Sequence, residues 1–273
     1  MKHIAVITGA GSGLGAEFAV EYVRRYAAAQ ACDEVWLVGR RADALARTAT
    51  GIRKLGSKIP QVKTLPFDIG GAAGFSAFKQ LLSEQSAAAP FTIVLLVNNA
   101  GFGIYGAFAS TFPDEVLQMI DVNVYALTGF CAAALPFMQK GSYIVNVASM
   151  AAFLPVGNFA VYAAAKSYVL SFSLSLRAEL CDRGIGVTAV CPGQTATEFA
   201  RRAVHNSSAV MPQGAKDPYK VAAHALRCTF KNRPFALFGI SWKLQAFASR
   251  FIGKGFFAWF TFKFVKRIPD SVR

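Results

Sequence analysis

The chain has 273 residues, with 29 Lys and Arg against 15 Asp and Glu, a formal net charge of +14. That length buries one sizeable core and leaves two full domains cramped. Five widely spread cysteines, Cys32, Cys131, Cys181, Cys191 and Cys228, include no C-x-x-C pair, which argues against a disulfide framework or a zinc site and for a reducing, cytoplasmic setting.

In chain order, the first element is a strand over Ile4 to Thr8, too short an apolar stretch to be a signal peptide. A helix follows from about Gly13, with Phe18, Tyr22 and Val23 at helical spacing. Further short Val/Ile/Leu runs predict strands at Glu34 to Val38, Val62 to Pro66, Ile93 to Asn98, Tyr143 to Ala148 and Gly186 to Cys191, with helices between. This alternation is the pattern of βαβ units, so the expected fold class is α/β, a doubly wound, mostly parallel sheet covered on both faces. The expected division is a nucleotide-binding catalytic domain over 1–225, with a substrate loop at 198–218, and a basic aromatic extension over 226–273. No uninterrupted apolar run approaches the ~20 residues that a membrane span needs.

The first strand runs into Thr8-Gly9-Ala10-Gly11-Ser12-Gly13-Leu14-Gly15. Glycines there allow a tight turn, close approach of backbone to a pyrophosphate and close packing of helix on strand, and the helix N-terminus offers free N–H groups to phosphate. Gly9, Ser12, Gly13, Leu14 and Gly15 are therefore candidate cofactor residues, against the plainer reading of a tight turn without ligand. After the second strand stands Val38-Gly39-Arg40-Arg41, with no carboxylate to receive a ribose 2′-OH. Arg40 can pair bidentately with a 2′-phosphate, which predicts NADP(H); the alternative is a solvated arginine pair at a helix start. Asp68, just past the third strand, is placed either to accept from the adenine amino group or to cap a helix.

Six pieces then occur in register: Thr8-Gly-x3-Gly13-x-Gly15, Asn98-Asn99-Ala100-Gly101, Asn123, Ser149, Tyr162-x3-Lys166 and Pro192-Gly193. Together they resemble the short-chain dehydrogenase/reductase family over roughly residues 4 to 200. Four residues apart on a helix, Tyr162 and Lys166 share one face. A phenol with an ordinary pKa of about 10 exchanges protons poorly at neutral pH, and a nearby ammonium favours the phenolate. Ser149, thirteen residues earlier, can donate to the oxygen on which charge develops as hydride arrives. The resemblance implies a catalytic tetrad of Asn123, Ser149, Tyr162 and Lys166, with Asn123 linking the lysine to solvent through water. It also implies that Lys166 holds the nicotinamide ribose, that Asn99 holds the strand end beside the cofactor, and that Thr197, after Pro192-Gly193, receives the carboxamide. His3, His205 and His224 fall outside every motif, and no metal is expected.

Between Ser149 and Tyr162 the residues Ala151, Phe153, Leu154, Pro155 and Phe159 are apolar, pointing to a hydrophobic ketone or secondary alcohol, steroid-like or similar. Arg201 and Arg202 support an alternative, a 3-oxoacyl thioester reductase receiving an acidic carrier or CoA. A non-catalytic nucleotide-binding regulator is disfavoured by the complete tetrad. From Arg227 onward ten Lys and Arg stand against the single acid Asp270, among many Phe and Trp. Phe235, Phe238 and Trp242 fall at helical spacing, as do Leu244, Phe247 and Phe251. Two readings stand for this tail: packing on the pocket or in a homo-oligomer interface, as is common among relatives, or peripheral contact with a membrane. High charge alone would admit nucleic acid, but no motif supports it.

Overall fold

The computed structural model describes residues 1–199, 203 and 214–265. Seven strands form one sheet in the order β3-β2-β1-β4-β5-β6-β7: β1 Lys2–Thr8, β2 Glu34–Gly39, β3 Gln61–Pro66, β4 Phe91–Asn98, β5 Tyr143–Val147, β6 Gly186–Val190 and β7 Phe235–Ala236. Every pairing is parallel. The six expected strands are all present. Strands β1, β4 and β6 are buried almost throughout, as they must be when helices cover both faces.

On one face, α1 (Gly13–Arg25), α2 (Ala42–Arg53) and α7 (Pro218–Phe230) bury Phe18, Tyr22, Leu45, Ile52 and Leu226 against the strands. On the other lie α3 (Gly71–Ala88), α4 (Pro113–Ile120), α5 (Leu127–Ala134) and α6 (Ala160–Glu179). There Phe78 of α3 stacks on Phe130 of α5 at 3.9 Å between ring centres. Helices α4 and α5 are joined without a break by a π-helical stretch, Asp121–Ala126. The whole run Pro113–Phe137 is long and apolar enough to cross a bilayer. Met119, Ala126, Phe130, Cys131 and Ala134 insert into the core, while Leu117, Ile120 and Tyr125 on the same run are exposed.

Two features depart from the sequence reading. The division after residue 225 falls inside α7, whose Val221, Ala222, Ala225 and Leu226 are buried in the core. The segment set aside as an extension then supplies β7, paired to β6 through Ala189–Phe235 and Val190–Ala236. Phe235, Phe238 and Trp242 do not share a helix either. Phe235 belongs to β7, and Phe238 is the cap of α8 (Gly239–Ala248), which carries Trp242. A last helix, α9, spans Lys254–Phe264.

Candidate active site

Strand order reverses between β1 and β4, and the crevice beyond the carboxyl ends of these strands is where open α/β sheets bind ligands. Thr8 and Asn99 tie the two ends together. The Thr8 hydroxyl accepts from the backbone N–H groups of Asn99 and Ala100 at 3.0 and 3.1 Å, and the Asn99 amide donates to the Thr8 carbonyl at 3.0 Å. Asn99 thus joins the ends of β1 and β4. The glycine-rich turn follows, and α1 begins at Gly13. A Cβ on Gly15 would stand 2.2 Å from the Gly9 carbonyl oxygen, so only glycine lets this helix sit so close to the strand end. Gly9, Ser12, Gly13 and Leu14 face a cavity of about 1100 Å³, while Gly15 makes the packing contact behind them.

The arginines divide their work. Arg40 lies 3.8 Å from Asp68 across the mouth of the cavity, both well exposed. Asp68 also accepts from the Gly70 N–H at 3.0 Å, fixing the turn that leads into α3. Arg41, which the sequence reading passed over in favour of its neighbour, reaches the turn itself: its guanidinium donates to Ser12 Oγ at 3.1 Å and to Glu198 at 2.9 Å. A loop with glycines where side chains would clash, a helix N-terminus and two guanidinium groups at its rim fit a pyrophosphate-bearing dinucleotide.

Ser149, Tyr162 and Lys166 line the same cavity, while Thr197 sits over the glycine-rich turn, where a Cβ on Gly13 would lie 3.1 Å from its side chain. Ser149 follows β5, and its Oγ accepts from the Ala151 N–H at 3.1 Å, opening a short 3₁₀ turn. Tyr162 and Lys166 stand one turn apart on the buried face of α6. The Tyr162 ring stacks on Phe159 at 4.3 Å and meets Phe199 at 5.4 Å, and the Lys166 ammonium stands 5.7 Å from its centre. Lys166 donates to the Val147 carbonyl at 2.8 Å. Burial pulls its pKa from 10.5 down to about 8. Burial also pushes the Cys191 thiol up to about 12, so that it is neutral beside the lysine.

Asn123 does not line the cavity. It is wholly buried in the π-helical stretch, where its amide donates to the carbonyls of Phe102 and Met119 at 2.7 and 2.9 Å. Its Oδ1 accepts no hydrogen bond from any described protein group. A Cβ on Gly101 would lie 2.5 Å from that oxygen and 3.3 Å from Lys166 Nζ, so the missing side chain of Gly101 keeps a passage open between them.

Much of the remaining wall is apolar: Phe102, Tyr105, Ala151, Phe153, Leu154 and Phe159 line it, joined by Trp242, Ile252 and Phe257 from α8, α9 and the turn between them, with Ser241, Gln245 and Ser249 as polar groups beside them. Trp242, part of the aromatic tail read as packing on the pocket or meeting a membrane, is buried, and its indole lies against Gly193. Arg201 and Arg202 of the expected substrate loop, like His205, lie outside the described residues. Among the described residues no group of His, Cys, Asp and Glu could hold a metal.

Comparison with known proteins agrees with this geometry. The profile of the short chain dehydrogenase family matches residues 3–208. The chain is 33% identical over 192 residues to "Probable oxidoreductase EphD" of Mycobacterium tuberculosis, a match that covers 68% of this chain and 30% of that longer protein. It is 34% identical over 224 residues to a very-long-chain 3-oxoacyl-CoA reductase of Caenorhabditis elegans, covering 77% and 65% of the two chains. Among solved structures, a short-chain dehydrogenase from Sphingobium yanoikuyae in complex with NADPH superposes with a TM-score of 0.75 at 27% identity, covering 92% of this chain and 93% of that one. The chain belongs to the short-chain dehydrogenase/reductase family.

Proposed function

We propose that the protein is an NADP(H)-dependent reductase or dehydrogenase of hydrophobic ketones and secondary alcohols, with Tyr162 as its general acid and base. The observation that carries this reading is that Ser149, Tyr162 and Lys166 open into the same cavity as the glycine-rich turn and the Arg40–Arg41 pair. The nicotinamide, when bound, supplies hydride in reduction and accepts it in oxidation. Tyr162 gives its hydroxyl proton to the substrate oxygen in reduction and takes it back in oxidation. The buried ammonium of Lys166 favours the phenolate that this exchange leaves behind. Because Ser149 Oγ accepts from Ala151 and only loosely approaches the Pro192 carbonyl, at 3.5 Å, its proton is available to the substrate oxygen.

Asn123 acts as a positioning residue: it holds Phe102 and Met119, and it turns an acceptor toward Lys166 across Gly101, where a water relay would pass. Arg40 and Arg41 are the groups for a 2′-phosphate, and Asp68 and Thr197 for the adenine and carboxamide ends. The apolar wall supports a greasy substrate. A second reading, reduction of 3-oxoacyl thioesters, is favoured by the likeness to the nematode 3-oxoacyl-CoA reductase.

Loss of NADPH absorbance, with NADH in parallel, is followed against steroid, aliphatic and aromatic ketones and 3-oxoacyl thioesters. Turnover of the ketones with NADPH supports the main reading, and turnover of thioesters alone supports the second. Arg40→Asp and Arg41→Asp should each weaken NADPH more than tenfold while leaving NADH nearly unchanged. Equal losses for both cofactors remove the NADP(H) assignment.

A further inference from the structure

Helices α8 and α9 have two unlike faces. Inward, Trp242 and Gln245 of α8, Ser249 and Ile252 of the turn that follows it and Phe257 of α9 line the cavity. The pair is fastened in place: the Gly157 N–H donates to the Thr261 hydroxyl at 2.8 Å, and the Asn158 amide donates to the Phe262 carbonyl at 3.2 Å. Outward, Ile240, Leu244, Phe247 and Phe251 recur every three or four residues opposite the buried Trp242, Ala246 and Ser249. With Phe256 and Trp259 of α9 they are between 52% and 76% exposed. Lone exposed apolar residues are ordinary, but six on two adjoining helices and the turn between them form a patch that calls for a partner.

Charge identifies the partner. Exposed Lys243, Arg250, Lys254 and Lys263 stand among these side chains, and no Asp or Glu occurs anywhere from residue 218 to residue 269. A second copy of the chain docked by the same patch would set cations against cations, since a two-fold interface pairs a surface with itself. An anionic bilayer neutralises them, and its headgroup boundary is where Trp and Phe are stable beside Lys and Arg. Helices of 10 and 11 residues measure roughly 15 Å, half the ~30 Å hydrocarbon core, so they are too short to cross and long enough to lie along it. We propose that the outer face of α8 and α9 is a docking surface for an anionic lipid bilayer.

The test is flotation of the full chain with vesicles of phosphatidylcholine alone and of phosphatidylcholine mixed with phosphatidylserine, at low and high salt. Recovery with the mixed vesicles, falling as salt rises, is the expected result. Phe247→Glu combined with Trp259→Glu should lower partitioning roughly a hundredfold, and Lys243→Glu with Lys254→Glu at least about tenfold. None of these four residues lines the cavity, so NADPH binding, followed by fluorescence, should persist and report that each variant is folded. If the aromatic pair disturbs folding, the charge variant decides alone. Absence from both vesicle types, equal recovery with both, or an unchanged partition of the charge variant overturns the proposal. So does a wild-type chain that ignores vesicles but forms an oligomer broken by Phe247→Glu, which would assign the patch to a second copy.

Discussion

Lys166→Met removes the buried ammonium while keeping the length of the side chain, and it should make the protein more stable as it makes it inactive. The pull of the Lys166 pKa from 10.5 to about 8 corresponds to roughly 3 kcal/mol spent on holding the charged form in the core. Methionine cannot donate to the Val147 carbonyl, whose bond with Lys166 is 2.8 Å long, and losing that bond costs about 1 kcal/mol. The net gain at pH 7 is about 2 kcal/mol, or a Tm higher by about 5 °C in a chain of this size. The sign follows from proton uptake. Between pH 8 and 10.5 the unfolded chain holds the lysine proton more firmly than the folded one, so wild-type stability rises with pH through that window. The penalty is therefore complete below about pH 8 and gone above 10.5, where the advantage of the variant should vanish or reverse. Differential scanning calorimetry of both proteins at the two ends of the window measures this directly. A variant no more stable than wild type at pH 7, or equally favoured at both ends, would refute the assignment of a buried ammonium.

The remaining expectations concern the site. Tyr162→Phe should lower kcat by about a thousandfold or more, with cofactor affinity by fluorescence titration changed only a few-fold; retained turnover would remove the proton-transfer role. Gly15→Ala places a Cβ 2.2 Å from the Gly9 carbonyl oxygen, and denaturant melts should show a loss of about 3 kcal/mol together with weaker cofactor binding. Trp242→Ala empties a buried indole site in the cavity wall. It should cost about 3 kcal/mol in stability and shift KM in favour of bulkier ketones. Because Lys166 discharges near pH 8, kcat/KM for ketone reduction should fall as pH rises beyond that value, with the loss seen in initial rates across a pH series.

Much of this was legible in the chain because parallel strands buried on both faces announce themselves as apolar runs, and the tetrad residues sit at fixed intervals beside them. Strand β7 was not legible: with two residues it has no period, and its identity depends on pairing with β6. The interval 235, 238, 242 imitates a helix because it crosses a strand, a cap and the first turn of α8, a coincidence that spacing alone cannot expose. Arg41 was overlooked because its role depends on Glu198, more than 150 residues away, which draws the guanidinium over the turn. Trp242 stood out in the aromatic tail, but only the folded chain brings it against Gly193. Asn123 was found by its motif, yet its burial in a π-helical stretch and its grip on Phe102 and Met119 come from the backbone.

The two bonds from Gly157 and Asn158 to α9 have a consequence for how such a protein can be altered. They graft α9 onto the loop that leads into α6, so one short element serves as the ceiling of the cavity and as the outer skin of the molecule. On the two proposals made above, residues facing the cavity would govern which molecules are chosen, and residues facing out would govern where the protein resides. Alternating along the same two helices, these two properties can drift separately, and a change of address need not entail a change of diet.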